Sequence, residues 1–219
     1  MIKSGSTSPP LLKRVDELLL DHHPHLQQSD EVYYIEEYTN GMRADFSPMN
    51  RLILNYKKEM KWKGDASWGY KDVAIKQVAD MLRLSILQTI GFPQRIKTAL
   101  LVPIPPHAAK EDPEHDDRNL RMLRHFLPKG KIHEIILQKK SLEPSHKSKK
   151  KRNPKELEEN YYINTPNIEF NEIWLFDDIL RNGTHFRAAH NMLTRHYSRV
   201  KIVGFFIARS VQHALSNSF

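Results

Sequence analysis

Residues 176–185 read Phe-Asp-Asp-Ile-Leu-Arg-Asn-Gly-Thr-His, and no other stretch restricts the fold of this chain as much. An apolar run leads into two adjacent carboxylates, a glycine follows, and an amphipathic segment starts at Thr184. That order is strand, loop, helix. In a parallel sheet such a junction presents backbone N–H groups and the positive end of a helix, a setting suited to a phosphate. Asp177 and Asp178 repel each other, and one use for such a pair is to accept hydrogen bonds from a sugar diol, directly or through Mg²⁺. The plainer use is a turn and helix cap with no ligand. Gly183 lets the backbone turn tightly where a phosphate would lie.

The flanking sequence alternates between helix and strand. Ser8-Pro9 reads as a helix start, with Leu11, Leu12, Val15, Leu18 and Leu19 at helical spacing and an end near Asp21. A short strand is expected around residues 33–35, and a helix from Ser47-Pro48 carries Leu52, Ile53 and Tyr56. A loop spans 62–68, and a long helix over 70–90 would bury Ile75, Val78, Ala79, Leu82, Ile86 and Ile90. Trp62 and Trp68 are expected to pack under that loop in preference to covering a base. Residues 98–104 have the continuous apolar character of a strand covered on both faces. A helix at 118–126, strands at 132–137 and 173–176, a helix at 184–196 and a strand at 200–207 follow. The pattern predicts an α/β fold with a mainly parallel twisted sheet, helices on both faces and a small N-terminal helical hood.

Composition narrows the chemistry. The 219 residues carry a formal charge of +8, so the average surface attracts polyanions. There is no cysteine, which removes disulfides, thiolate nucleophiles and thiolate-bound zinc. His22, His23 and His25 flank a proline and read as a helix-ending turn, not a metal site; no side-chain metal centre is expected. No stretch approaches the roughly 20 apolar residues of a membrane span, and the first residues lack a secretion signal, so the expectation is a cytoplasmic protein without a membrane partner. Residues 139–152 form a basic loop that includes Lys147, Lys149, Lys150, Lys151 and Arg152 and could meet phosphates.

The segment from Ile173 to His185 resembles the phosphoribosyl pyrophosphate signature of type I phosphoribosyltransferases: four apolar residues, Asp-Asp, two apolar residues, then Thr-Thr-Gly-x-Thr. Leu101-Val102-Pro103-Ile104-Pro105-Pro106-His107 is similar to the strand and pyrophosphate loop of ComF-like members. Residues 50–58, Asn-Arg-Leu-Ile-Leu-Asn-Tyr-Lys-Lys, look like their Leu-Ile-x-x-x-Lys-Tyr helix. The likeness covers roughly residues 33–207 and implies one compact domain, with residues 1–95 as N-terminal segment and hood and 96–219 as core.

The resemblance implies that Asp177 and Asp178 hold the ribose hydroxyls as the catalytic pair. Arg181, Asn182, Gly183, Thr184 and His185 would hold the 5′-phosphate and ribose. Pro105, Pro106, His107, Ala108 and Lys110 would line the pyrophosphate, bridged by Mg²⁺, and the basic loop would close over the site. Here Arg-Asn-Gly-Thr-His replaces three of the usual hydroxyl side chains, so an anion would be met by the Arg181 fork and by donors on Asn182 and His185. The expected function is binding of phosphoribosyl pyrophosphate or a nucleotide with Mg²⁺, with transfer to a nitrogen nucleophile. The alternative is a catalytically degenerate nucleotide-sensing or nucleic-acid-binding module, with a role as a bacterial defence effector a weaker thought. The sequence leaves a homodimer or larger assembly open.

Overall fold

The computed structural model describes residues 11–143 and 152–213. The elements in chain order are β1 (Lys13–Arg14), α1 (Glu17–Leu20), β2 (Glu31–Thr39), α2 (Pro48–Tyr56), α3 (Gly69–Gln88), α4 (Phe92–Arg95), β3 (Ala99–Pro103) and α5 (Arg118–Phe126). Then come β4 (Lys131–Ile132), β5 (Ile136–Gln138), α6 (Pro154–Asn160), β6 (Tyr161–Ile163), β7 (Glu172–Leu180), α7 (Thr184–His196) and β8 (Lys201–Val211). The main sheet has the order β1-β2-β8-β7-β3-β4 and is parallel except for β1; β5 and β6 form a separate antiparallel pair.

The sheet is covered on both sides because its strands are apolar on both sides. Along β3, Ala99 and Leu101 join α2, α3 and α5 in one core, whereas Leu100 and Val102 join α6 and α7 in the other. Continuous apolar strands of this kind belong in the middle of a doubly covered parallel sheet. Aromatic rings fill the first core: Phe205 stacks against Phe176 at 5.1 Å and Tyr33 at 5.7 Å, and Phe92 meets Trp174 edge-on at 5.5 Å. On the second face Gly204 makes room for Phe186, since a Cβ there would lie 2.7 Å from the ring.

Several elements depart from the sequence reading. Lys13 and Arg14 are not helical but pair with Tyr34 and Tyr33, protecting the sheet edge, and the helix starts only at Glu17; Ser8 and Pro9 lie outside the described residues. The N-terminal segment is not helical throughout, because β2 enters the main sheet beside β8. The expected strand at 132–137 is two strands in two sheets, since the chain leaves β3 after His133 donates to the Leu101 carbonyl. Ile90, expected in the core, follows the end of α3 and is 99% exposed. Trp62 is also half in solvent. Helix α6 and strand β6 have no counterpart in the sequence reading; Asn153 and Glu156 form a capping box that starts α6.

Gly204→Ala is expected to destabilise the fold by about 1–3 kcal/mol through overpacking against the fully buried Phe186, read as a lower urea midpoint at unchanged slope.

Candidate functional site

The crossover from β3 through α5 to β4 runs over one face, and that from β7 through α7 to β8 runs over the other. The sheet therefore reverses its winding between β3 and β7. In open α/β sheets the crevice beyond the carboxyl ends of the strands at such a point is where ligands bind. Residues 104–110 leave β3 there, and residues 181–183 leave β7 and turn into α7.

Asp177 and Asp178 are not in the loop, as the sequence reading had them, but within the last four residues of β7. The strand stays paired through Asp177 with Phe206, Ile179 with Ala208 and Leu180 with Arg209. Each carboxylate accepts the next backbone N–H, Asp177 from Asp178 at 2.8 Å and Asp178 from Ile179 at 2.7 Å. These contacts hold both acids against the strand.

Asp178 is buried and saturated. Lys57, just past α2, donates to its Oδ1 at 2.9 Å, while Arg118, the first residue of α5, donates to Oδ2 from Nε at 3.1 Å and Nη2 at 2.5 Å. Burial alone would raise its pKa, but these two cations hold the carboxyl well below the usual range. Arg118 also grips Asp116 at 2.7 Å, and Asp116 accepts from the fully buried Lys71 at 2.7 Å. Lys71 donates its remaining protons to the carbonyls of Lys58 at 2.7 Å and Tyr56 at 3.2 Å. A chain of alternating charges thus runs from α3 through α5 to β7 and α2.

Asp177 stands in the opposite state. Burial and the neighbouring Asp178 charge push its pKa up to about 7. Its Oδ1 accepts from the Asn119 amide at 3.2 Å, and the Asn119 carbonyl oxygen accepts from buried Tyr56 at 2.9 Å. Among the described residues, Asp177 accepts the Asn119 and Asp178 hydrogen bonds both on Oδ1. The two adjacent acids therefore have pKa values pushed in opposite directions, Asp178 down by its cations and Asp177 up by burial and by its neighbour's charge.

The loop after β7 is clasped by the N-terminal segment. The Arg181 carbonyl accepts from His23 Nδ1, and the Asn182 carbonyl accepts from the His25 amide at 3.1 Å. His23 is fully buried and its pKa is lowered, chiefly by burial, so the ring is neutral with its proton on Nδ1. Gly183 has φ of 81°, and a Cβ there would meet Leu26 at 2.9 Å. The turn therefore requires glycine for its conformation and for its contact. Asn182 Oδ1 accepts from the Thr184 hydroxyl at 2.8 Å and, at a long 3.4 Å, from its amide, which holds the side chain against the start of α7; the Arg181 side chain is exposed. His185 lies half-buried at the start of α7, and burial followed by the Arg152 charge lowers its pKa to about 4. Of the basic loop, Arg152 falls among the described residues and reaches this end of the sheet; Lys147, Lys149, Lys150 and Lys151 lie outside them.

On the other wall, Pro105, Pro106 and His107 are partly exposed and Ala108 is buried, while Lys110 pairs with Glu134 at 3.1 Å. Gln138 donates to the Pro106 carbonyl and accepts from Asn160 at 2.6 Å, so the β5–β6 pair braces this loop. Next to Asn160, Tyr161 is 1% exposed, its hydroxyl has no hydrogen-bond partner, and burial together with the Asp177 charge raises its pKa.

The sequence reading therefore placed Asp177, Asp178, the β7–α7 turn and the Pro105–Pro106 loop at one crevice, and it missed Lys57, Lys71, Asp116, Arg118, Asn119 and Tyr161. One signal was available: Lys71 occupies the apolar helical series that continues at Ile75, Val78 and Leu82, where an ammonium must find a carboxylate. No protein-family model matches the sequence, and no curated protein matches it.

The raised pKa of Asp177 makes the native state bind a proton that the unfolded chain has released, so this group's stabilisation fades as pH rises from about 4 to about 7. Asp177→Asn should flatten the pH dependence of urea stability across that window. Arg118→Met leaves Asp116 and Asp178 without their shared fork and is expected to destabilise by about 3–5 kcal/mol in the same assay.

Proposed function

We propose that this protein binds a phosphorylated ribose, as phosphoribosyl pyrophosphate or a nucleotide, in the crevice at the carboxyl ends of β3 and β7, in the manner of a type I phosphoribosyltransferase. The observation that carries the reading is the acid pair at the winding reversal of the sheet, one carboxylate locked in its charged form and the other poised near neutrality. Asp177 Oδ2 meets a ribose hydroxyl, and the Tyr161 hydroxyl, buried without a partner, supplies a second polar contact. The anionic end of the ligand lies toward the first turn of α7 and Arg152.

Among the described residues no group of three or more His, Asp or Glu could hold a metal ion. Both oxygens of Asp178 are already taken by cations and a backbone amide. Mg²⁺ would therefore be held mainly by the pyrophosphate of the ligand, with Asp177 as the available protein carboxylate, where it would neutralise departing negative charge. The saturation of Asp178 favours a second reading of the same site, ligand binding without transfer. A ribosyl cation would find one free carboxylate, and the turn that meets the phosphate lacks three of the family's hydroxyls.

Titration calorimetry with phosphoribosyl pyrophosphate and Mg²⁺, and separately with a nucleoside monophosphate, should give heat for at least one ligand. Asp177→Ala and Tyr161→Phe should each weaken binding by about tenfold, the effect of one lost buried hydrogen bond. No heat from either ligand, or full affinity in a folded Asp177→Ala protein, overturns the proposal.

A further inference from the structure

We propose that two copies of this chain associate about a two-fold axis through the outer face of α3, the two helices lying antiparallel. Helix α3 has two apolar faces. One is the buried set that includes Ile75, Val78, Leu82 and Ile86. Directly opposite, Tyr70, Val73, Leu84 and Leu87 are 47–63% exposed, with Gln77 and Asp80 between them. Eleven large apolar side chains are exposed among the described residues; four of them form this stripe and a fifth, Ile90, follows the helix. An apolar stripe concentrated on one helix needs a partner more than scattered exposed residues do.

The partner is a second copy because the stripe is self-complementary. Residues 70, 73, 77, 80, 84 and 87 are spaced three and four apart, the spacing of a helix-pairing seam. Read in reverse, the spacing and the chemistry repeat. An antiparallel pair centred between Gln77 and Asp80 sets Tyr70 against Leu87, Val73 against Leu84, and Gln77 against Asp80 of the other copy, so apolar meets apolar and an amide donor meets a carboxylate. The exposed Lys76 lies one level from that same carboxylate and adds charge complementarity. Arg83 does not disturb the seam, because its fork is held by Asp80 at 3.0 Å and by the Phe126 and His125 carbonyls at the end of α5. Each contact occurs twice about the axis, which is the isologous form that closed dimers take.

Sedimentation velocity over a wide concentration range should show a dimer. Val73→Glu and Leu84→Glu change exposed positions, so each should leave the circular dichroism spectrum in place while halving the mass. A wild-type monomer at every concentration, or a dimer that survives both substitutions, overturns the proposal. The register is tested separately, since the chain has no cysteine of its own. Val73→Cys combined with Leu84→Cys should cross-link two chains on oxidation. Val73→Cys alone should not, its two copies standing about 16 Å apart along the axis, too far for a disulfide. Efficient cross-linking by the single variant would mean parallel helices and rejects the arrangement.

Discussion

The guanidinium of Arg118 is the interaction on which the crevice depends. It starts α5, lies across β7 and holds Asp116 with one hand and Asp178 with the other. Through Lys71 and Lys57 the same set of charges ties in α3 and the end of α2. Buried charges are stabilising only when every member is paired, because an unpaired one loses its water and gains nothing. The helices on this face of the sheet are therefore positioned by charge as well as by their apolar sides. The asymmetry of the acid pair follows directly: Asp178 takes the cations, and Asp177 keeps the repulsion.

That arrangement gives the proposed ligand site its character. A fully solvated pair of aspartates would both be charged near neutral pH. Here the locked charge of Asp178 belongs to the framework, while burial and that charge raise the pKa of the neighbouring carboxyl. The crevice is bounded by a turn fastened to the N-terminal segment through His23 and by a proline loop braced through Gln138 and Asn160. Both walls are held by bonds to backbone carbonyls, which fixes their spacing without demanding particular side chains inside the crevice. In the proposed binding, recognition would fall to a few groups, Asp177, Tyr161, Arg152 and the first turn of α7.

The elements whose signals are local were legible in the sequence. Ser47-Pro48 starts α2 where a serine cap and first-turn proline say it should, with the Ser47 hydroxyl accepting the Asn50 amide, and α5 and α7 begin and end as their apolar spacing predicts. Strand β3 read as doubly buried because nearly every residue in it is apolar. What failed depends on pairing with distant residues. Lys13 and Arg14 look helical by spacing and become a strand because β2 offers an edge. Asp177 and Asp178 look like a loop because acids are rare in strands, and they remain in β7 because Lys57 and Arg118, far away in the chain, neutralise one of them. Spacing within a segment cannot report which cation will stand opposite. The Ile132–Leu137 run, apolar at both ends, gave no sign that its two ends belong to different sheets.

The pairing of β2 with β8 has a temporal consequence. Val32 lies beside Gly204, so a strand made early must wait for one made much later in the chain. On a ribosome, β2 has only the short β1 to shield one flank while everything between it and β8 is made, and the other flank stays open until β8 emerges. Long-range parallel pairing is slow to form for the same reason. The nascent chain thus carries an unfilled slot until β8 closes it, and the hazards of its birth, aggregation and premature degradation, are concentrated there.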